Sequence, residues 1–232
     1  FLFSLFFSVV FLSGAYIPQR HSRSGTTRRP EGLLSTRKGT AIKLDLLLDE
    51  AEKRALDLVK QASPEMPADQ QQAVARAVGI GAVKYADLSQ NPQSAVSFTW
   101  EKALAMDGNS APYLQYAYAR IASVIDKHAE RFPDCDWRRE PVVLDSAYAR
   151  RLALRLARHA DAVLEAAGQE KPSLLADALY DLSQAYSSFY QNVPFLKADA
   201  GLRESRVRLC DLVAKVLRHG LALLGIDTPD RI

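Results

Sequence analysis

The residues best suited to act on a ligand are two tyrosines and an arginine, Tyr113, Tyr116 and Arg120, set three and four positions apart. At about 100° per helical residue, that spacing places them on one stripe. Leu114, Ala117, Ile121 and Val124 form another stripe about 100° away, so the core does not require the first. Rings beside a guanidinium suit splayed-out, unpaired nucleotides. The rings give a stacking platform, and arginine adds cation–π and phosphate contacts. The same tyrosines could instead seal a helix interface with their hydroxyls in water, and periodicity alone favours that second use.

Other charged groups offer less. Leu34-Ser35-Thr36-Arg37-Lys38-Gly39 has no apolar period. Its two cations, two hydroxyls and glycine describe a polar loop able to wrap a polyphosphate, or simply a basic linker. Arg151, Arg155 and Arg158 read as a solvated face continued by Asp161 and Glu165, with Arg158 spaced to pair with Asp161. Arg203, Arg206, Arg208, Lys215 and Arg218 read the same way, with a phosphate track as the lesser alternative.

Cys135 and Cys210 belong to no C-x-x-C pair, and His21, His128, His159 and His219 to no H-x-x-x-H or H-E-x-x-H motif. That spacing argues against a disulfide framework and a metal site, and both cysteines are expected as reduced core thiols. Neither a G-x-x-x-x-G-K-[ST] nor a G-x-G-x-x-G run occurs. Gly79 and Gly81, inside a helical pattern, are expected to let helices approach closely. On these grounds alone the chain reads as a binding module.

The elements that must position these groups are helical. The 232 residues are 48% hydrophobic and 25% charged, enough for one core or two small ones. Thirty Lys and Arg against 27 Asp and Glu leave a net charge of +3, too little for bulk electrostatics to hold a polyanion. Residues 1–17 are apolar and uncharged, like a signal h-region or a short membrane segment. No basic stretch precedes them, and an Arg-rich stretch follows. With Phe rather than Met at position 1, a fragment with a misread beginning is expected. Helical periodicity starts near Leu44, stops at Pro64 and Pro67, and resumes over 68–88 with Val74, Val78, Ala82 and Tyr85 on one side. Residues 95–100, and to a lesser degree 41–43, look extended. Asn109 or Ser110 can cap a helix with Pro112 in its first turn, running to about Arg131. Further helices are expected over 145–167, ending at Gly168; from 172 to Pro194; and from near Asp199 to Gly225. The expected class is an all-α helical bundle with an irregular N-terminal segment.

Three segments then point to a family. Val78-Gly79-Ile80-Gly81-Ala82-Val83-Lys84-Tyr85-Ala86-Asp87-Leu88, Phe98-Thr99-Trp100 and Gly108-Asn109-Ser110-Ala111-Pro112-Tyr113-Leu114-Gln115-Tyr116-Ala117-Tyr118 resemble, in order, the carboxy-terminal third of arginyl-tRNA synthetases. Asp177-Ala178-Leu179-Tyr180-Asp181-Leu182 is similar to the D-A-L-R element of that family's anticodon-binding domain. Ser205-Arg206, Leu209-Cys210 and Leu223-Leu224-Gly225-Ile226 continue the resemblance, which covers residues from near Gly32 to the end.

The resemblance implies a remnant of a catalytic domain over 32–43 and a DALR anticodon-binding bundle over 44–232, with 1–31 unassigned and unlike the family. It implies that Ser35, Thr36, Arg37, Lys38 and Gly39 are a degenerate KMSKS loop over ATP, Leu34 standing where Met is usual. It implies tRNA contacts at Asn109, Tyr113, Gln115, Tyr116, Arg120 and Ile232, the last in place of a usual Met. The activity implied is ATP-dependent attachment of arginine to tRNA-Arg, with Mg²⁺ accompanying ATP, in a cytoplasmic monomer that binds neither DNA nor membrane. The H-I-G-H motif and the arginine pocket are absent, so the chain alone is expected to be inactive. A stand-alone RNA-binding module is the alternative.

Overall fold

The computed structural model describes residues 43–91, 98–195 and 197–232, together with the backbone of three short strands. These strands are β1 (Thr27–Arg29), β2 (Gly32–Leu33) and β3 (Val96–Ser97). They form one sheet in the order β2-β1-β3, with β1 antiparallel to β2 and parallel to β3. β3 falls within the segment expected to be extended; β1 and β2 carried no such signal. The apolar run over 1–17 and the polar loop over 34–39 lie outside the described residues.

The helices among the described residues are α1 (Leu44–Ala62), α2 (Ala68–Leu88), α3 (Trp100–Ala103), α4 (Ala111–Arg131), α5 (Ala147–Ala157), α6 (His159–Gln169), α7 (Pro172–Asn192) and α8 (Leu202–Leu223). Their ends follow from local chemistry. Ser110 caps α4, its Oγ accepting from the Tyr113 N–H at 3.2 Å, with Pro112 in the first turn where no amide partner is lost. Ser146 caps α5 in the same way through the Ala149 N–H.

Two expected boundaries move. The helix expected over 145–167 is two helices that meet at Arg158, the C-cap of one and the N-cap of the other, at φ −83° and ψ −2°. Both pieces pack on α7. Gly168 does not end α6. Glu170 does, in the left-handed conformation at φ 55°, and the Lys171 N–H returns to the Ala166 carbonyl at 2.9 Å.

The core has two parts. One joins α4, α5, α7 and α8 around Leu114, Ile121, Leu179, Tyr186, Phe189 and Leu217. The other joins α1, α2 and α3 around Ala55, Val59, Val74 and Val78, with Ile232 packed against it. In α1 the buried residue of the last turn is Val59 rather than Leu58. Gly79 explains how closely α1 and α2 approach: a Cβ there would lie 2.6 Å from the Ala51 carbonyl oxygen. Gly81 faces the Gln115 side chain with little more room.

The D-A-L-R-like element ties the two parts together. Tyr85 on α2 donates to Asn109 Oδ1 at 2.5 Å and to the Ala176 carbonyl at 3.1 Å, while Asn109 Nδ2 donates to Asp177 at 3.3 Å. Leu179 fills the space that a side chain at Gly220 would need. Burial, then the nearby Asp177 carboxylate, pushes the Tyr85 phenol far above its ordinary value, so it remains a donor.

Candidate nucleic-acid interface

A groove of about 1590 Å³ runs between four elements: the α1–α2 turn, the outer face of α4, the end of α7 with the loop after it, and the C-terminal tail. Its aromatic centre is a cation–π stack. The Arg120 guanidinium lies 4.6 Å from the centroid of the Tyr116 ring and 5.2 Å from that of Tyr190. Tyr190 in turn packs on Phe195 at 5.5 Å. Tyr116 and Tyr190 are each 37% exposed, so both rings present apolar surface to a ligand while Arg120 holds their positions. Burial lowers the tendency of Arg120 to hold its proton, but the hydrogen bond and charge of Tyr116, then Tyr186 and Tyr190, outweigh it and leave the guanidinium more basic than usual.

The groove's charge is balanced. Arg120, Lys127, Lys197 and Arg231 line it together with Glu65, Asp126, Glu130 and Asp230. A surface of this kind does not hold a polyanion by net potential; stacking, with a few placed cations for phosphates, must do the holding.

The structure divides the expected contact residues. Tyr116, Arg120 and Ile232 meet in the groove. Tyr113, one turn before Tyr116, is half-buried between helices, its hydroxyl 3.1 Å from Ser187 Oγ and its ring edge-on to Tyr180 at 5.8 Å. Asn109 is engaged by Tyr85 and Asp177. Gln115 is fully buried, donating to the Ala77 and Asp227 carbonyls at 3.1 and 2.7 Å. Ser35, Thr36, Arg37, Lys38 and Gly39 lie outside the described residues.

Sequence reading missed Tyr190 and Phe195. Tyr186 and Tyr190 stand four apart on α7, a signal that was present but hidden behind the buried stripe carrying Tyr186 and Phe189.

The tail is held by side chains from three helices. Lys84 on α2 donates to the Gly225 carbonyl and Gln115 on α4 to that of Asp227. Tyr118 donates to Asp230 at 2.8 Å, and Arg218 on α8 pairs with the same carboxylate at 2.9 Å. This places Arg231 and Ile232 on the groove's rim.

The remaining cations keep part of their expected use, since Arg155, Lys215 and Arg218 form solvent-facing ion pairs. Arg155 pairs across to Asp181 on α7 at 2.8 Å. Arg203, Arg206, Lys215 and Arg218 pair with Glu204, Asp145, Asp211 and Asp230, while Arg208 donates to the Glu140 carbonyl. Arg206 is 7% exposed, so this helix uses part of its charge to hold the fold together rather than to form a solvated face. Cys210 is buried as expected, but Cys135 is half-exposed.

Comparison with known proteins shows which chains this one is similar to. The DALR anticodon binding domain family matches residues 114–232, and the catalytic domain of class I tRNA synthetases (R) matches residues 11–100. The second match begins inside the stretch in which sequence reading found no likeness to the family. The chain is 43% identical over 224 residues to the arginine–tRNA ligase of Fusobacterium nucleatum, covering 97% of this chain and 39% of that protein. It is 44% identical over 214 residues to that of Azotobacter vinelandii, covering 91% and 36%. The Thermus thermophilus arginyl-tRNA synthetase structure superposes with a TM-score of 0.81 at 32% identity, over 90% of this chain and 35% of that one. The chain thus spans under two-fifths of the length of these relatives.

Proposed function

Since this chain belongs to the arginyl-tRNA synthetase family through a DALR anticodon-binding domain, we propose that its groove binds the anticodon nucleotides of tRNA-Arg. The observation that carries this reading is the exposed Tyr116–Arg120–Tyr190 stack, which offers two ring faces about a fixed cation. An unpaired base needs such a face, and a base pair buried in a duplex cannot reach one. We therefore propose an unpaired RNA loop, and not double-stranded DNA, as the partner.

The whole protein we propose to be an arginine–tRNA ligase, which joins arginine to tRNA at the cost of ATP and its accompanying Mg²⁺. Ser35 to Gly39 would meet ATP, and the residues described here would hold the tRNA. The division at residues 43 and 44 is part of this proposal. α1 and α2 then belong with the tRNA-binding unit, a division that rests on the docking of α2 on α4 and α7, although the class I catalytic-domain match runs to residue 100 and takes in both helices. We place the protein in the cytoplasm as a monomer. No helix among the described residues is long and apolar enough to cross a membrane.

Nuclease footprinting tests the assignment. The chain, mixed with tRNA-Arg, is expected to protect the anticodon loop and leave the variable loop open to cleavage. Protection confined to regions outside the anticodon arm would refute it. A stand-alone RNA-binding module, the second reading, predicts the same footprint without preference for tRNA-Arg.

A further inference from the structure

Away from the groove, three potential metal ligands converge that sequence spacing kept apart. His128 lies in the last turns of α4, Cys135 in the loop behind it, and Glu204 in the first turn of α8. Their ligand atoms all lie within 4.8 Å of one another. His128 is fully buried, and neither ring nitrogen has a hydrogen-bond partner. An imidazole carries at least one N–H, so this buried polar group makes no well-formed hydrogen bond and has only the Glu204 carboxylate near its Nε2. Its Nε2 is 3.5 Å from Glu204 Oε1, and Cys135 Sγ is 3.4 Å from the same oxygen.

We propose that His128, Cys135 and Glu204 bind one zinc ion. Zinc takes nitrogen at about 2.0–2.1 Å, sulfur at about 2.3 Å and carboxylate oxygen at about 2.0–2.2 Å in a tetrahedron, whose N···O edge is then about 3.3–3.5 Å and whose S···O edge is about 3.5–3.7 Å. The observed N···O separation lies on its edge, and the S···O separation is about 0.1 Å short of the other. The remaining S···N edge needs about 3.6 Å, and Cys135, half-exposed in a loop, is the ligand able to move. Imidazole with thiolate selects zinc over calcium or magnesium, which prefer oxygen.

The surroundings suit the ion. Glu204 Oε2 accepts from the Gly201 N–H at 2.5 Å, which fixes the carboxylate's orientation. Arg203 now donates to Oε1 from Nε and Nη2 at 2.8 and 2.7 Å, so a cation already neutralises this oxygen, and zinc takes over that role. The guanidinium then moves off Oε1, from a position now 3.5 Å from the Phe132 ring centroid. Binding releases the Cys135 thiol proton to solvent and changes no oxidation state. Water fills the fourth position on the exposed side of Cys135.

The test is titration of the chelator-stripped chain with Co²⁺, followed by displacement with Zn²⁺. One equivalent of Co²⁺ is expected to produce a thiolate charge-transfer band that Zn²⁺ removes. Cys135→Ser, which preserves shape, is expected to abolish that band with the helical circular dichroism unchanged. His128→Asn should weaken uptake at least tenfold. His219→Asn should change neither, since it alters only the surface pair with His159. The absence of a thiolate band, or a band that survives Cys135→Ser, would overturn the proposal. So would uptake that depends on His219 instead. If His128→Asn fails to fold, the Cys135→Ser result decides alone.

Discussion

Tyr113 and Tyr116 lie one turn apart on α4, yet only one of them is available to a ligand. Tyr113 spends its hydroxyl on Ser187 and its ring on Tyr180, whereas Tyr116 stacks on Arg120 at the groove's edge. The two should therefore respond differently to substitution. Tyr116→Ala or Tyr190→Ala should each weaken tRNA-Arg binding by about 1–3 kcal/mol, the scale of one lost base stack. Tyr113→Phe should leave affinity unchanged and cost about 0.5–1.5 kcal/mol of folding stability, one lost hydrogen bond. Equilibrium binding and denaturant unfolding on the three variants separate these outcomes. The stripe of Tyr113, Tyr116 and Arg120 was legible in the sequence because helical period is local. Tyr190, the partner that completes the proposed site, was not, because it is 70 positions beyond Arg120 and only the docking of α7 on α4 brings them together. Gln115 misled for the opposite reason: nothing local says that a polar side chain will be buried to anchor the tail.

Elements pack through contacts that single residues permit. Gly79 lets α1 lie against α2, and a Cβ there would strike the Ala51 backbone, which cannot rotate away. Gly168, in the last turn of α6, faces open space. Ala is favoured over Gly in a helix by about 0.8–1.0 kcal/mol. Gly168→Ala should therefore stabilise by about that amount, while Gly79→Ala should destabilise by about 1–3 kcal/mol, as overpacking outweighs propensity. Thermal melts of the pair check the signs. Proline breaks and serine caps made most helix boundaries readable: α2 runs over the expected residues, and α4 begins one residue after its cap. The α5–α6 break escaped notice because Arg158 carries no breaker signal. The short helix α3 escaped because four residues give no periodicity.

On the scale of the whole molecule, α6 meets α8 through two histidines whose nitrogens, His159 Nε2 and His219 Nδ1, are 2.9 Å apart. His159 also borders a cavity with Arg155, Arg158, Asp161, Glu165, Asp177 and Asp181. Burial, then His219, lowers the pKa of His159 below its ordinary 6.5. The unfolded chain thus takes the proton first as pH falls, so this site costs nothing above about 6.5 and destabilises progressively below it. The melting temperature should fall between pH 7 and 5, and by less in His159→Gln. An identical fall in both would exclude the pair as a cause.

The central claim is that the groove reads anticodon bases. Its most direct test is the dissociation constant of this chain for tRNA-Arg, measured at one fixed salt concentration, against that for the same tRNA with its anticodon nucleotides replaced. The account predicts that replacement weakens binding at least tenfold, and that most of this difference disappears in a Tyr116→Ala, Tyr190→Ala double variant. Equal affinity for the two RNAs would contradict it.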